Sequence, residues 1–312
     1  MGLFHCPIGA IGCGKEGCIR CGLCNAITRE EKIQASNIMR RWIQENAFLR
    51  NRDFKIRKIA VCGKGGSGKS TTTALLSGAL ERLGYASLVI DTDSSNGGLW
   101  KKLGMGAPPQ ALNSNDRSEA VPEFLKKDPL YFSDLAEPYA QENGLRKIVC
   151  AGKIEDPLLG CACEIGEYAK ALLQNLTTRE KEIVIADQEA GVESFGRGIE
   201  QFCDTVLIIV EPSLESIELA AKIQYMAQGL GISRIRAILN KVEDEEQDEF
   251  IRERLSEKEI RFLGAVPLQR DLRKKNLYGQ EICPEEAYEL FGQTVMYMLD
   301  EAEMRYSQRR QL

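Results

Sequence analysis

The stretch that decides the fold is Lys58-Ile-Ala-Val-Cys-Gly63-Lys-Gly-Gly-Ser-Gly-Lys-Ser70. Its first half is an apolar run typical of a buried strand, and its second half fits the pattern G-x-x-x-x-G-K-[ST] at every position. A helix is predicted to follow, to about Leu83. A glycine-rich loop between a strand and a helix lets backbone N–H groups converge on phosphate oxygens at the positive end of the helix. The sequence therefore predicts a nucleotide phosphate site.

Two side chains of this loop have predicted roles of their own. Lys69 is expected to neutralise charge on the β- and γ-phosphates, and the Ser70 hydroxyl is expected to bind Mg²⁺. The predicted nucleotide-binding loop as a whole comprises Gly63, Lys64, Gly65, Gly66, Ser67, Gly68, Lys69, Ser70 and Thr71.

Strand and helix signals alternate on both sides of the loop. Apolar strands are predicted over 58–62, 86–91, 147–150, 182–187, 205–210, 234–240 and 260–266, with helices over 213–229 and 285–303. The proline-rich stretch 104–146 shows little pattern and is predicted to be an insertion, and the acidic run 243–249 is predicted to begin a solvated helix. Continuous apolar strands linked by helices predict an α/β fold with a mostly parallel sheet covered by helices on both faces.

A second lysine in the loop, Lys64, indicates which class of nucleotide-binding protein this sequence resembles. Lys64-Gly-Gly-Ser-Gly-Lys-Ser70 resembles the deviant Walker A signature of the nitrogenase iron protein, septum-site and partition ATPases. The resemblance implies an ATPase in which Lys64 crosses a homodimer interface to the partner's nucleotide, by the logic of an arginine finger.

The same resemblance assigns residues at the ends of other strands, where open α/β sheets bind ligands. It implies that Asp93 orients or activates water, that Asp187 holds Mg²⁺ through water, and that Gly191 senses the γ-phosphate. Catalysis would then involve Lys64, Lys69, Asp93 and Asp187. The resemblance also places Asn240, Lys241 and Pro267 in the adenine pocket, although turn chemistry alone also accounts for these three.

Residues 56 to 303 are similar to the carbon monoxide dehydrogenase nickel-insertion ATPases and the related acetyl-CoA synthase maturation factors. The similarity is carried by the P-loop, Gly160-Cys-Ala-Cys163, Asp187-Gln-Glu-Ala-Gly-Val-Glu193 with Gly196-Arg-Gly198, and Val210-Glu-Pro-Ser213. It implies that Cys161 and Cys163 of two protomers bind one Ni²⁺ or Zn²⁺ ion at the dimer interface. It also implies that the protein acts on carbon monoxide dehydrogenase or acetyl-CoA synthase. One Cys-x-Cys pair gives two thiolates, and two copies give the four that a closed site requires.

One rival is an ATP-dependent reductase like the nitrogenase iron protein, in which a cysteine shortly after switch II binds a bridging cluster. Here the seventh position after Asp187 is Ser194, and the first cysteine beyond it is Cys203. A second alternative is a non-enzymatic iron–sulfur scaffold that binds nucleotide structurally.

The N-terminal residues form a separate module in this interpretation, with a domain boundary between 1–52 and 53–312. Cys18-Ile-Arg-Cys21-Gly-Leu-Cys24 resembles a ferredoxin run, and Cys6-Pro resembles the segment of a ferredoxin's fourth cysteine. These four cysteines are expected to bind one [4Fe–4S] cluster, with Cys13 as a substitute for Cys6 and a Cys₄ zinc site as the alternative. A helix is predicted over 29–47 from a capping box at 28–31.

Composition limits the remaining possibilities. The 312 residues are 43% hydrophobic and carry a net charge of −5, so no basic face is expected for nucleic acid. No apolar run approaches the roughly 18 residues of a membrane span, and no secretory signal precedes the first strand. We therefore expect a cytoplasmic chain without nucleic-acid or membrane partners.

Cys62 and Cys203 are expected to be buried, and the last helix is expected to pack through Tyr288, Phe291, Val295, Leu299 and Ala302.

Overall fold

The computed structural model describes residues 56–95, 97–113, 122–154 and 162–309. The predicted N-terminal module, its helix, its five cysteines and the boundary at residue 52 lie outside these residues, and they stay predictions. Cys161 also lies outside them.

The described residues form one eight-stranded sheet, in the order β3-β4-β2-β5-β1-β6-β7-β8. Every neighbouring pair is parallel except β3 and β4, which are antiparallel. The strands are β1 (Lys58–Gly63), β2 (Ala86–Asp91), β3 (Ala140–Asn143), β4 (Arg146–Cys150), β5 (Glu182–Asp187), β6 (Thr205–Val210), β7 (Arg234–Val242) and β8 (Phe262–Pro267).

Helices lie between most successive strands, and two more helices follow the last strand. They are α1 (Lys69–Arg82), α2 (Leu99–Lys102), α3 (Ala162–Asn175), α4 (Glu193–Arg197), α5 (Leu214–Gly229), α6 (Glu245–Glu257), α7 (Arg270–Tyr278) and α8 (Pro284–Arg309). None of the described helices combines the length and apolar character needed to cross a membrane.

Each face of the sheet has its own apolar core. Leu75 of α1 and Phe291 of α8 belong to one core, and Leu172 of α3 and Ile223 of α5 belong to the other. The central strands are therefore buried on both sides, which explains why they are apolar at nearly every position. The predicted α/β class and the helices on both faces are confirmed for the described residues.

Most predicted strands match the structure to within two residues, and the exception lies in the supposed insertion. Residues 140–143 form the edge strand β3, paired with β4 through a two-residue turn in which Gly144 has φ 62°. This strand is short and half polar, so it carries no apolar run. Gly144, at the first position of this two-residue turn, is the hairpin signal that would have revealed it.

The predicted packing of individual side chains is largely confirmed. Cys62 and Cys203 are buried. In α8, Phe291, Val295 and Ala302 are buried and Leu299 packs against them. Tyr288 was wrongly assigned to the core, since the side chain is exposed. Its ring lies along the helix surface over Gly292, where an added Cβ would be 2.6 Å from Cδ2, and its hydroxyl lies 3.8 Å from the Met296 sulfur.

Candidate nucleotide site

The site lies at the edge of the sheet where the parallel strands end. Because those strands run in one direction, their carboxyl ends and the residues that follow meet along that edge. The segments gathered there are the loop after β1, Asp91–Asp93 after β2, Lys153 after β4, Asp187–Gly191 at β5, Glu211 after β6, and Asn240 and Lys241 near the end of β7.

The loop after β1 has the close backbone approaches that glycine permits. A Cβ atom on Gly63, which has φ 149°, would lie 2.5 Å from the Ile209 carbonyl oxygen of β6. Gly68 has φ 98° and precedes α1, and a Cβ atom there would collide with the Asn240 amide. The Lys69 ammonium is buried and donates to the Lys64 carbonyl, 3.3 Å away. The loop thus curls around its own lysine at the amino end of a helix, the arrangement suited to phosphate.

Asp187 lies behind this loop at the end of β5 and is 1% exposed. It accepts hydrogen bonds from Ser70 and from Thr73, whose hydroxyl lies 3.2 Å from Oδ1. Burial, with a smaller contribution from the Asp91 charge, raises the pKa of Asp187 to about 7, although the two hydroxyls and Lys69 oppose the shift.

This pair of oxygen donors fits Mg²⁺. Mg²⁺ binds hard oxygen ligands, retains several waters and is commonly held by one or two protein groups together with phosphates. Ser70 and Asp187 would hold it here, and the bound ion would neutralise charge on the phosphates. Asp187 would then exchange its proton for a divalent cation.

Asp91 ends β2 beside Asp187 and is neutralised differently. The Lys153 ammonium lies 2.8 Å from Asp91 Oδ2 and also donates to the Asp93 carbonyl oxygen. Burial raises the pKa of Asp91 to about 6, while the Lys153 charge and hydrogen bond partly offset it. The Asp93 carboxylate, the predicted water-orienting group, is half-buried and accepts from the Ser95 N–H and hydroxyl at 2.9 and 2.7 Å.

The segment after Asp187 runs alongside the end of β1. Gln188 N–H donates to Val61 O at 3.1 Å, and Gly191 N–H donates to Gly63 O at 3.2 Å. Gly191, the predicted γ-phosphate sensor, therefore touches the phosphate loop itself, with φ 90°.

Glu189 links this segment to the loop after β2. It accepts from the Ser94 hydroxyl at 3.3 Å and from the Arg197 guanidinium at 2.9 Å. The two loops that follow β2 and β5 are thus joined through one carboxylate.

Asn240 and Lys241 hold the phosphate loop from the other side. The Asn240 amide donates to Ser67 O at 2.7 Å, and the Lys241 ammonium donates to Gly66 O. Lys241 has φ 64°, a left-handed conformation unusual for lysine, at an irregularity between β7 and β8. Two consecutive residues thus support two consecutive carbonyls of the loop.

A cavity of about 740 Å³ opens between these residues and α7. It contains the predicted adenine-pocket residues Asn240, Lys241 and Pro267, together with Gly66, Gly68 and Thr71 of the loop. Its volume falls in the range of small-molecule sites. The assignment of the base to this cavity stays a prediction.

The predicted metal-binding cysteines are only partly placed. Cys163 belongs to the first turn of α3, whereas Cys161 falls outside the described residues. Within the described part of the chain, no three His, Cys, Asp or Glu side chains form a metal-binding cluster.

Four charged residues of the site have no role predicted from sequence, although three of them lie in the motifs that carry the family similarity. Lys153, Glu211, Glu189 and Arg197 each form an ion pair at this edge. Glu211 comes directly after a predicted strand, so the strand-end rule could have found it. Lys153 carries no comparable signal, because its role depends on which strands are neighbours.

The P-loop, the parallel sheet around it and the Ser70–Asp187 pair define a P-loop ATPase. The chain belongs to the CobQ/CobB/MinD/ParA nucleotide-binding domain family, whose model matches residues 58–282.

Individual relatives agree with this family. The chain is 36% identical over 239 residues to an uncharacterized ATP-binding protein of Methanocaldococcus jannaschii, covering 73% of this chain and 94% of the relative. It is 31% identical over 252 residues to the carbon monoxide dehydrogenase accessory protein CooC of Rhodospirillum rubrum, covering 75% and 95%. The septum site-determining protein MinD of Pyrococcus horikoshii, complexed with Mg-ADP, shares the fold, with a TM-score of 0.56, 19% identity and coverage of 78% and 95%.

Proposed function

We propose that this ATPase is a homodimeric maturation factor that delivers nickel to carbon monoxide dehydrogenase or acetyl-CoA synthase. ATP and Mg²⁺ bring two copies together, Lys64 of each copy reaches the nucleotide of the other, and Asp93 orients the attacking water. Cys161 and Cys163 of both copies hold the metal cargo, which is Ni²⁺ or, in its place, Zn²⁺. The similarity to a carbon monoxide dehydrogenase accessory protein supports this client class.

The observation that carries the proposal is the packing of the first turn of α3, which contains Cys163. A Cβ atom added to Gly166 would lie 3.1 Å from Cδ of Arg197, so this turn lies directly against the segment after β5. One residue earlier, Ile165 lies so close to Gly152 that a Cβ there would be 2.6 Å from Cγ1.

Both contacts lead back to the nucleotide site. Arg197 pairs with Glu189, which also binds Ser94 in the loop after β2. Gly152 precedes Lys153, which pairs with Asp91. A rearrangement of either loop on nucleotide binding would therefore displace the helix that begins at the cysteine pair. This is the mechanical connection that an ATP-driven metal carrier requires.

The test is a metal count on the full chain, purified anaerobically under reducing conditions, with Zn²⁺ or Ni²⁺ added and with or without a non-hydrolysable ATP analogue. We expect the analogue to add about one ion per two chains to any metal that the N-terminal cysteines bind, and we expect this added ion to be lost in the variant with both Cys161→Ser and Cys163→Ser. Nucleotide affinity should be unchanged in that variant. Cys283→Ser, at a partly exposed thiol away from the site, is the matched control. Retention of this added ion in the double variant would contradict the proposal.

The N-terminal cysteines are proposed to bind a [4Fe–4S] cluster, which an iron and sulfide count on the same sample measures separately from nickel or zinc. The alternative function is an ATP-dependent electron donor. In that case, reduction of a partner would require both ATP and the cluster and would not respond to nickel.

A further inference from the structure

Lys64 is engaged within its own protomer. Its ammonium lies 3.2 Å from Oε1 of Glu211, 3.4 Å from the Ser213 hydroxyl and 3.9 Å from a carboxylate oxygen of Glu215. The Glu211 side chain is 18% exposed and that of Glu215 is 75% exposed, so Glu211 is the better-shielded partner.

Glu211 is itself fixed from the opposite side. Its second oxygen, Oε2, lies 2.9 Å from the Lys241 ammonium, which also donates to Gly66 of the phosphate loop. The backbone N–H of Glu211 donates to the Ser216 hydroxyl at 3.1 Å. Partial burial alone would raise the pKa of Glu211, but hydrogen bonds from Lys241 and Lys64 hold the pKa below its usual value. Glu211 is therefore an ionised acceptor, and it keeps its contacts with Lys241 and Ser216 when Lys64 is elsewhere.

A single ammonium cannot stay on Glu211 and also contact the phosphates of a second copy. Glu211 and Ser213, which hold the Lys64 ammonium, both line the nucleotide cavity. The contact with Glu211 must therefore break before Lys64 reaches the nucleotide of a second copy.

We propose that Glu211 is a positioning residue that holds Lys64 within its own protomer and thereby restrains dimerisation until nucleotide is bound. This inference rests on the proposed function, because it requires that Lys64 act across a dimer. Lys241 still pairs with Glu211 after Lys64 has moved away, so the release of Lys64 does not leave the Glu211 carboxylate without a cation. Glu211 therefore opposes formation of the dimer.

The experiment measures dimer formation by sedimentation with Mg²⁺ and a non-hydrolysable ATP analogue, on the full chain and on Glu211→Gln. The glutamine keeps the size and an acceptor oxygen but removes the charge. A partly exposed ion pair contributes about 0.2–1 kcal/mol, and each homodimer breaks two such pairs, so we expect the dimer dissociation constant to fall by between about two-fold and thirty-fold. Glu215→Gln is the matched control, since it removes the more distant and more exposed carboxylate beside the same ammonium. Because exposed pairs contribute little, it should change the dimer dissociation constant less than two-fold.

Repeating the comparison in a Lys64→Met variant separates the release of Lys64 from other effects of Glu211→Gln. In Lys64→Met there is no ammonium to release, so Glu211→Gln should no longer strengthen dimerisation. Every dimer constant is measured at a saturating concentration of the analogue, which is set for each variant by titrating the monomer with a fluorescent ATP analogue at low protein concentration, so that a change in nucleotide affinity does not enter the comparison.

The outcomes separate the inference from the function beneath it. Unchanged or weaker dimerisation of Glu211→Gln would overturn the inference while leaving the dimeric ATPase intact. An equal strengthening in the Lys64→Met background would also overturn it. A native chain that stays monomeric with the analogue would overturn the proposed function and this inference together.

Discussion

At the scale of single residues, Asp187 joins fold and chemistry. It is buried within a parallel sheet, and its pKa of about 7 means that near neutral pH the nucleotide-free protein holds much of it as the uncharged acid. An ion that binds this carboxylate must compete with a proton. Binding of Mg²⁺ is therefore coupled to release of that proton.

We expect the affinity for Mg²⁺, in the presence of nucleotide, to rise as the pH increases from 6 to 8. Below the pKa the gain should approach ten-fold per pH unit, and above it the curve should level off. Asp187→Asn should reduce ATP turnover by at least about a hundred-fold and should abolish this pH dependence. Magnesium titrations followed by the fluorescence of a bound nucleotide analogue measure both. A native curve that is flat over this range would contradict the assignment of Asp187 to the ion.

At the scale of an element, the segment 188–200 holds unsatisfied polar groups. The buried atoms Gln188 Nε2, Ser194 Oγ and both carboxylate oxygens of Glu200 have no well-formed hydrogen bond. Each such group costs about 1–3 kcal/mol relative to a satisfied one. This cost is concentrated in the segment that directly follows Asp187.

The buried carboxyl group of Glu200 makes the stability of the folded protein depend on pH. Burial raises its pKa to about 7, partly offset by the neighbouring Ser194 hydroxyl and the charge of Arg197. Since the folded protein binds this proton more tightly than the unfolded chain, the stabilisation is complete below about pH 4 and is lost as the pH rises through 7. Asp187 and Asp91 act in the same direction.

The nucleotide-free protein should therefore melt at a lower temperature at pH 8 than at pH 6. Glu200→Gln, which is uncharged at both values, should reduce this difference by several degrees. Thermal unfolding of both proteins at the two pH values, without nucleotide, is the measurement. An identical pH dependence in the variant would show that Glu200 is already ionised in the folded state.

At the scale of the whole molecule, Arg146 joins parts distant in sequence. It begins β4, its side chain is 3% exposed, and it pairs with Glu81 of α1 at 2.7 Å and Glu281 at 2.9 Å. Its guanidinium also donates to the Ile282 carbonyl at 3.4 Å. One buried cation thus binds the helix after the P-loop to the segment that leads into α8.

Arg146→Met should lower the free energy of unfolding by about 1.5–3 kcal/mol, because it removes the charged hydrogen bonds to the partly exposed carboxylates of Glu81 and Glu281. The matched control is Arg254→Met in α6, where an exposed pair with Glu257 at 2.9 Å should be worth less than about 1 kcal/mol. Urea unfolding of the two variants gives the comparison. A loss at Arg146 no larger than at Arg254 would mean that packing alone holds these parts together.

The sequence predicted the central fold well because its signals are local. The strands buried on both faces are continuously apolar, and the P-loop pattern fixes β1 and α1 together. The edge strand β3 was missed, since four half-polar residues leave no such run. The positions of Asp187, Asp93 and Asn240 followed from strand ends, but their partners did not. Lys153 reaches Asp91 only because β4 lies beside β2, and strand order is not written in any single segment.

Lys241 has a further consequence. Glycine, or asparagine, would adopt its left-handed backbone with less strain. The lysine at this position instead supplies an ammonium to Gly66 and Glu211. A glycine at position 241 would thus relieve the backbone but would leave a loop carbonyl and a carboxylate without their shared cation.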